Sequence, residues 1–380
     1  MNTASAARPA YLEVLTPIVD KVVEPSATAI DRNGAFPRAA VDALGKAGLL
    51  GLVSAREVGG MGEGHRAATF VVETLARACG STAMVVCMHY AATAVIEAHG
   101  ARKLREAIGA GKHLSTLAFS EVGSRSQFWA PVSTGTADTG RIRLDASKSW
   151  VTSAGEADSY VWSSRPVSAA GASTLWLVPR DAPGLSIPAP FDGLGLRGNA
   201  SSPITAKGVL VDPADRLGPD GGGFDIMMGI VLPWFQFMNA GFALGTMEAV
   251  TAKAAAHASS TRLEHLGQTL AEQPVTRVHV ARMRIKTDMV RGLLLDALAA
   301  LEGGRPDTML RILEVKAAAG ETATEVADLA MRVCGGAAFR REVGVERHFR
   351  DARAATVMAP TTDALYDFIG KAVCGLPLFG

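Results

Sequence analysis

Paired cysteines, an excess of charge of one sign and nucleotide-loop glycine patterns are all missing from this 380-residue chain. Its four cysteines (Cys79, Cys87, Cys334 and Cys374) share no paired spacing, which argues against a disulfide framework and leaves reduced, buried thiols. Lys and Arg number 38 against 37 Asp and Glu, a net charge of +1, so nothing electrostatic draws the chain to nucleic acid or an anionic membrane. The eight histidines are scattered without HExxH, and no GxSxG elbow, GxGxxG or Walker loop occurs; zinc hydrolysis, serine hydrolysis and a Rossmann site are set aside. "MNTASAARPAYLEVL" has no apolar run behind a basic start, so no signal peptide is expected. The most apolar stretches, such as "TAMVVCMHYAATAVI", fall short of a spanning length, and no membrane span is expected either. The expected location is the cytoplasm.

What is present changes period twice. Residues 1–112 read as helices: Leu12, Leu15, Ile18, Val19, Val22 and Val23 recur at three-to-four spacing, and "STAMVVCMHYAATAVIEAHG" is apolar nearly all round, hence buried. Over 113–222 short alternating runs, among them "RIRLDASKSWVTS" and "STLWLVPR", are cut by Gly, Pro, Ser and Asp, the pattern of an antiparallel sheet or small barrel. Over 223–380 long helical patterns return, with a kink expected at Pro233 and a final helix capped by Thr361 or Thr362. Four apolar-striped helices make a bundle. The fold class is therefore α+β: a helical N-terminal domain, a middle β-barrel and a C-terminal four-helix bundle.

Three stretches can carry chemistry. "LAFSEVGSRS" offers backbone N–H groups and serine hydroxyls, or is a polar turn. In "SKSWVTSAG", Trp150 and Thr152 at i, i+2 share a strand face, an indole platform beside a hydroxyl that suits a planar heterocycle; a core tryptophan is the competing reading. "MRVCGGAAFRRE" ends a helix on Gly335 and Gly336, where a ligand can approach the backbone, or is a plain helix cap.

These stretches and others resemble the acyl-CoA dehydrogenase family in order along nearly the whole chain. "GLLGLVSAREVGGMGEG", "AFSEVGSRS", "KSWVTSAGEADSYV", "GLRGNASSPITAKGVLVDPADRLGPDGGGF" and "MRVCGGAAFRREVGVERHFRDAR" each match a family segment. The resemblance implies FAD as cofactor, with FMN or a loosely held reduced flavin as alternatives, in a homotetramer or homodimer with flavin at subunit contacts. It implies Trp150 and Thr152 against the flavin, Ser120 on its ring system, and Ser126 on the dinucleotide or the substrate arm. It further implies Gly335 and Gly336 near a neighbouring subunit's flavin and Thr361 as a cap beside the flavin, while the phosphate clamp departs from the family's: Arg262 comes one residue early in "RLEHLG", and Arg332 replaces a glutamine at a place where it can itself grip phosphate.

Where the chain departs from the family, the chemistry is at stake. The family's usual base, a glutamate after "RDAR", is Ala359 here, and the alternative position on the first bundle helix is Phe235. Removal of an α-proton needs a group within hydrogen-bond reach. His89 and Asp363, one helical turn beyond Ala359, are the replacements considered; a core histidine and a helix N-terminal acid are their bland readings. Trp234, Phe235 and Gln236 replace the usual substrate-pocket residues. Three functions follow: oxidation of an acyl thioester on CoA or a carrier protein, for an unidentified electron acceptor; flavin-dependent oxygenation or oxidation of a small non-CoA molecule; and a catalytically silent flavin-binding homologue.

Overall fold

The computed structural model describes residues 9–124 and 127–378. The chain begins as one helical run from Ala10 to Asn33, interrupted by a π turn at Val19–Val23. The interruption follows Pro17, which lacks the N–H that a regular ladder needs. Gly34 ends the run at φ 63°, a left-handed cap open to glycine. Four more helices follow: Arg38–Lys46, His65–Ala78, Gly80–His99 and Arg102–Gly109.

Seven strands form two sheets. These are β1 (Ser115–Ala118), β2 (Thr134–Asp138), β3 (Arg141–Val151), β4 (Ser159–Ser164), β5 (Thr174–Pro179), β6 (Leu185–Ser186) and β7 (Ser202–Val211). Their orders are β1-β4-β5 and β2-β3-β7-β6. The pairing is antiparallel except for β1 with β4, which run parallel, unlike the antiparallel expectation. A parallel pair needs a long crossover, and the segment between these two strands supplies it while carrying the β2–β3 hairpin. Trp162 and Trp176 face each other across β4 and β5, both fully buried.

The bundle comprises helices Leu232–Ser260, Pro274–Glu302, Thr308–Cys334 and Thr362–Val373, with two short helices, Val345–Ala352 and Ala354–Val357, leading into the last. Pro233 lies inside one continuous helical run from Gly223 to Ser260, and the irregularity expected there takes the form of a π turn immediately before it, Met227–Val231, where the ladder lacks the Pro233 N–H. Gly245 lets this helix press against His65–Ala78, since a Cβ there would meet the Glu73 carbonyl at 2.3 Å.

Two helical stretches are long and apolar enough to cross a membrane, correcting the sequence expectation: Gly80–His99 and Gly223–Ser260, at mean hydropathy 1.2 and 1.4. Both are mostly buried, 83% and 72% over their most apolar windows, so protein rather than lipid covers them in this fold.

The "RDAR" segment ties the three regions together. Arg350 grips Asp31 of the first helical run through two bonds of 2.8 and 2.6 Å, and donates to the Leu194 carbonyl at 3.0 Å. Its neighbour Asp351, fully buried, accepts from the Leu196 N–H at 2.6 Å. The turn Met358 to Thr361 follows this junction after the short helix Ala354–Val357.

Candidate functional site

Where the sheets meet the bundle lies a cavity of about 1870 Å³. Pockets for one small ligand span about 300–1,000 Å³, so this one has room for a large cofactor and a second ligand together. One wall is the end of β3. The ladder to β7 shifts register between Lys148 and Val151, and Trp150 sits at φ 57°, a left-handed conformation rare for tryptophan. This bulge turns the indole out, leaving it 71% exposed. Simple strand alternation is thus not what brings Trp150 and Thr152 to one cavity; the bulge does it. Thr152 itself is buried, its hydroxyl 3.0 Å from that of Ser201.

Beneath this shelf lies a buried ion pair. Lys148 donates to Glu121 at 2.5 Å and to the Ser163 carbonyl and hydroxyl at 2.7 and 2.9 Å. Glu121 also accepts from the N–H groups of Val132 and Ser133, at 2.7 and 2.8 Å, and from the Ser133 hydroxyl. Burial alone would raise the Glu121 carboxyl, but the Lys148 charge and these bonds outweigh it and hold it below the usual carboxylate range. Burial pulls Lys148 down to about 8, which still leaves it protonated at neutral pH. The pair joins Ser120 on one side to Ser149 and Trp150 on the other, and the Ser149 N–H bonds the Ser120 carbonyl at 2.9 Å.

The opposite wall is apolar. Met84 and Met88, one turn apart on helix Gly80–His99, share it with Phe235 and Met358. A succession of rings runs from the end of β1 to the last helix: Phe119 to Phe128 at 6.4 Å, Phe128 to Trp129 at 5.2 Å, and Trp129 to Phe368 at 6.0 Å. Ala359 and Pro360 close this side, followed by Thr361, which caps the last helix by accepting from the Ala364 N–H at 3.3 Å.

Four described carboxylates line the cavity. Glu121 is bound to Lys148, Asp192 pairs with Arg197 and Asp367 with Lys371. Asp363, exposed in the first turn of the last helix, forms no ion pair among the described residues.

All three parts of the chain match models of one family: "Acyl-CoA dehydrogenase, N-terminal domain" over residues 9–110, the middle domain over 116–209 and the C-terminal domain over 221–374. The chain belongs to the acyl-CoA dehydrogenase family. The human short-chain specific mitochondrial acyl-CoA dehydrogenase is 27% identical over 360 residues, covering 93% of this chain and 86% of that one. Among solved structures, a glutaryl-coenzyme A dehydrogenase with glutaryl-CoA superposes with a TM-score of 0.91 at 24% identity, over 100% and 98% of the two chains. The prolyl acyl carrier protein oxidase AnaB gives 0.86 at 18%, over 97% and 100%; both likenesses are of fold. Relatives in the family are FAD-dependent oxidoreductases acting on CH–CH bonds, and this chain is an oxidoreductase of that kind.

The residues present fit a flavin. An indole face left open inside a concave site is apolar surface suited to a flat ring, and Ser120 and Thr152 bring hydroxyl and backbone groups to the same cavity. Ser126 lies outside the described residues. Arg262, Arg332, Gly335 and Gly336 are all exposed and do not line this cavity; a Cβ on either glycine would meet open space.

Not every residue singled out in the sequence reaches the site. His89 is fully buried behind the wall: its Nε2–H donates to the Leu50 carbonyl at 2.9 Å and its Nδ1 accepts from the Ser115 N–H at 3.1 Å. Burial holds its pKa down to about 4, so it is a neutral imidazole with both nitrogens used, and no lone pair remains for a substrate proton. The helix does line the cavity, but through Met88, about 100° round from His89. The same geometry separates Trp234, Phe235 and Gln236. Only Phe235 faces the cavity; Trp234 stacks on His65 at 3.8 Å, and the buried Gln236 carboxamide finds no hydrogen-bond partner among the described residues. Asn199, Ser201, Arg353 and Lys371 also line the cavity, and sequence reasoning missed them. Lys371 stands four and eight positions beyond Asp367 and Asp363 on the last helix, the one spacing that points to it, and Arg353 ends the "RDAR" segment ahead of the Ala359 turn.

Proposed function

We propose that this chain, loaded with FAD, oxidises an acyl thioester carried on CoA or a carrier protein to the α,β-unsaturated product. The observation that carries the reading is the continuity of the cavity from the Trp150–Thr152 shelf to the apolar wall at Ala359. When bound, FAD supplies the acceptor for the hydride leaving the β-carbon. The chain's own residues do the remainder. Trp150 and Thr152 orient the ring system, Met88, Phe235 and Met358 exclude water around the acyl chain, and Asp363 takes the α-proton onto its carboxylate. Asp363 is assigned because Ala359 offers no acid or base and His89 has no free nitrogen. Similarity to a glutaryl-CoA enzyme and to a carrier-protein oxidase supports the thioester class while leaving both carriers open.

Assembly follows the family: we place Gly335, Gly336, Arg262 and Arg332 at the flavin of a second copy, in a homodimer or homotetramer. The second reading, oxygenation of a small non-thioester molecule by reduced flavin, needs no α-proton removal, but Ala359 and its neighbours offer no histidine to manage protons, which counts against it. Asp363→Asn separates the two. With a panel of thioesters and an artificial electron acceptor, the substitution should lower kcat by at least about 100-fold while KM stays within a few-fold. Unchanged kcat would remove Asp363 from the reaction.

A further inference from the structure

Directly behind the Ala359 turn, outside the cavity, lies a lysine with no exposed surface. Lys316, on the bundle helix Thr308–Cys334, directs its ammonium at three backbone carbonyls: Pro360 at 2.7 Å, Met358 at 3.0 Å and Ala355 at 3.3 Å. Among the described residues no carboxylate pairs with it. Its other neighbour is the Phe235 ring, 6.0 Å away, which itself lines the cavity. An ammonium has three donors and no acceptor, so three carbonyls satisfy it completely.

We propose that Lys316 is a positioning residue, which fixes the acyl-side turn by binding those three carbonyls and so sets where Ala359, Thr361 and Asp363 stand against the substrate. The local sequence needs such a clamp. Helix Ala354–Val357 is a single turn whose Ala354 carbonyl takes the Met358 N–H at 3.0 Å, the next carbonyl, that of Ala355, turns to Lys316, and the chain then passes through Pro360, which has no N–H to offer. Without Lys316 the carbonyls of Ala355, Met358 and Pro360 lose a buried donor, and the turn loses its tie through this side chain to the helix behind it. One turn along the same face, Gly320 keeps the helix close: a Cβ there would stand 3.2 Å from the Ala355 carbonyl oxygen. Ala355 therefore sits against glycine, with the ammonium of Lys316 in reach. A lysine used only to fill the bundle core would not need three convergent carbonyls, and methionine would fill it at lower cost.

The proposal rests on the reading of this cavity as the acyl site, so the test separates the two. Hydrogen–deuterium exchange of the flavin-loaded full chain is compared for the wild type, Lys316→Met and Gly320→Ala. Losing three bonds from one buried donor should speed exchange across residues 354–365 by about 10-fold or more in Lys316→Met, with helix Gly80–His99 and β4 unchanged. Gly320→Ala, which moves the Ala355 carbonyl without touching the lysine, should speed the same segment by a few-fold. In turnover, Lys316→Met should lose kcat about 10-fold or more with little change in KM. In Lys316→Ala, propylamine should restore protection and rate, whereas propanol, of similar size, should not. Unchanged exchange over 354–365, or a loss spread evenly through the bundle, overturns the proposal. If the wild type oxidises no thioester, the functional reading falls while the exchange data still decide the role of Lys316. Should Lys316→Met fail to fold, exchange in Gly320→Ala decides alone: faster exchange confined to 354–365 supports the clamp, and unchanged exchange there overturns it.

Discussion

Replacing Lys148 with methionine keeps the apolar stem and deletes the ammonium that faces Glu121 across 2.5 Å in a fully buried site. Breaking one side of a buried pair costs about 3–5 kcal/mol, because the partner charge stays behind unpaired. Glu121 keeps its bonds from Val132 and Ser133, which moves the expectation to the low end, about 3 kcal/mol. Against this, the Ser163 hydroxyl loses its donor, the Ser163 carbonyl is left with the Ser133 hydroxyl at 3.1 Å, and the Trp162 ring, 5.1 Å from the ammonium, loses its cation. Adding Glu121→Gln removes the stranded charge while its amide oxygen still accepts the two backbone N–H groups. The double variant should therefore regain about 2 kcal/mol or more over Lys148→Met. Chemical denaturation at one fixed flavin concentration is the assay, since bound flavin raises apparent stability by mass action. Because the pair joins Ser120 to Trp150, Lys148→Met should also weaken flavin retention, and the double variant should recover part of it. A single variant within about 0.5 kcal/mol of wild type, or a double variant no better than the single, would refute the reasoning.

Two further outcomes are expected. His89→Ala should destabilise the fold by about 3 kcal/mol, from a cavity and two stranded backbone partners, Leu50 and Ser115, while the rate of flavin reduction in the folded protein stays within a few-fold; equilibrium unfolding and stopped-flow absorbance check both halves. For Glu248, burial opposes ionisation, yet the guanidinium groups of Arg284 and Arg291 hold its carboxyl down to about 2. Its folded value lies below the ordinary 4.5, so its stabilisation is present above 4.5 and is lost as pH falls toward 2. Wild type should thus exceed Glu248→Gln by up to about 3 kcal/mol near neutrality, with the gap closing on acidification; a pH-independent gap would show that packing rather than charge is responsible.

Much of the architecture is legible in local periodicity, because helices with one buried stripe and strands with one buried face impose their spacing on the residues. The buried Gly80–His99 helix and the Thr361 cap are read from neighbours within a few positions. Features decided by distant partners are not. His89 is silenced by Leu50 and Ser115, 39 and 26 positions away. Lys316 gains its meaning from carbonyls 39 to 44 positions on. The parallel pairing of β1 with β4 and the bulge at Trp150 are likewise settled by the sheet as a whole. At Trp234, Phe235 and Gln236 the residue types suggest a substrate wall, but helical rotation lets only one of three consecutive side chains face it.

Thioester oxidation in this cavity is tested most directly by one titration. Purified protein loaded with FAD is mixed anaerobically with acyl thioesters of increasing chain length and with a carrier-protein thioester, and the oxidised-flavin absorbance is followed. At least one thioester should bleach the band stoichiometrically, with the matching α,β-unsaturated thioester formed in equal amount. An unbleached band across the whole panel, in protein shown to hold its flavin, would contradict thioester oxidation at this site.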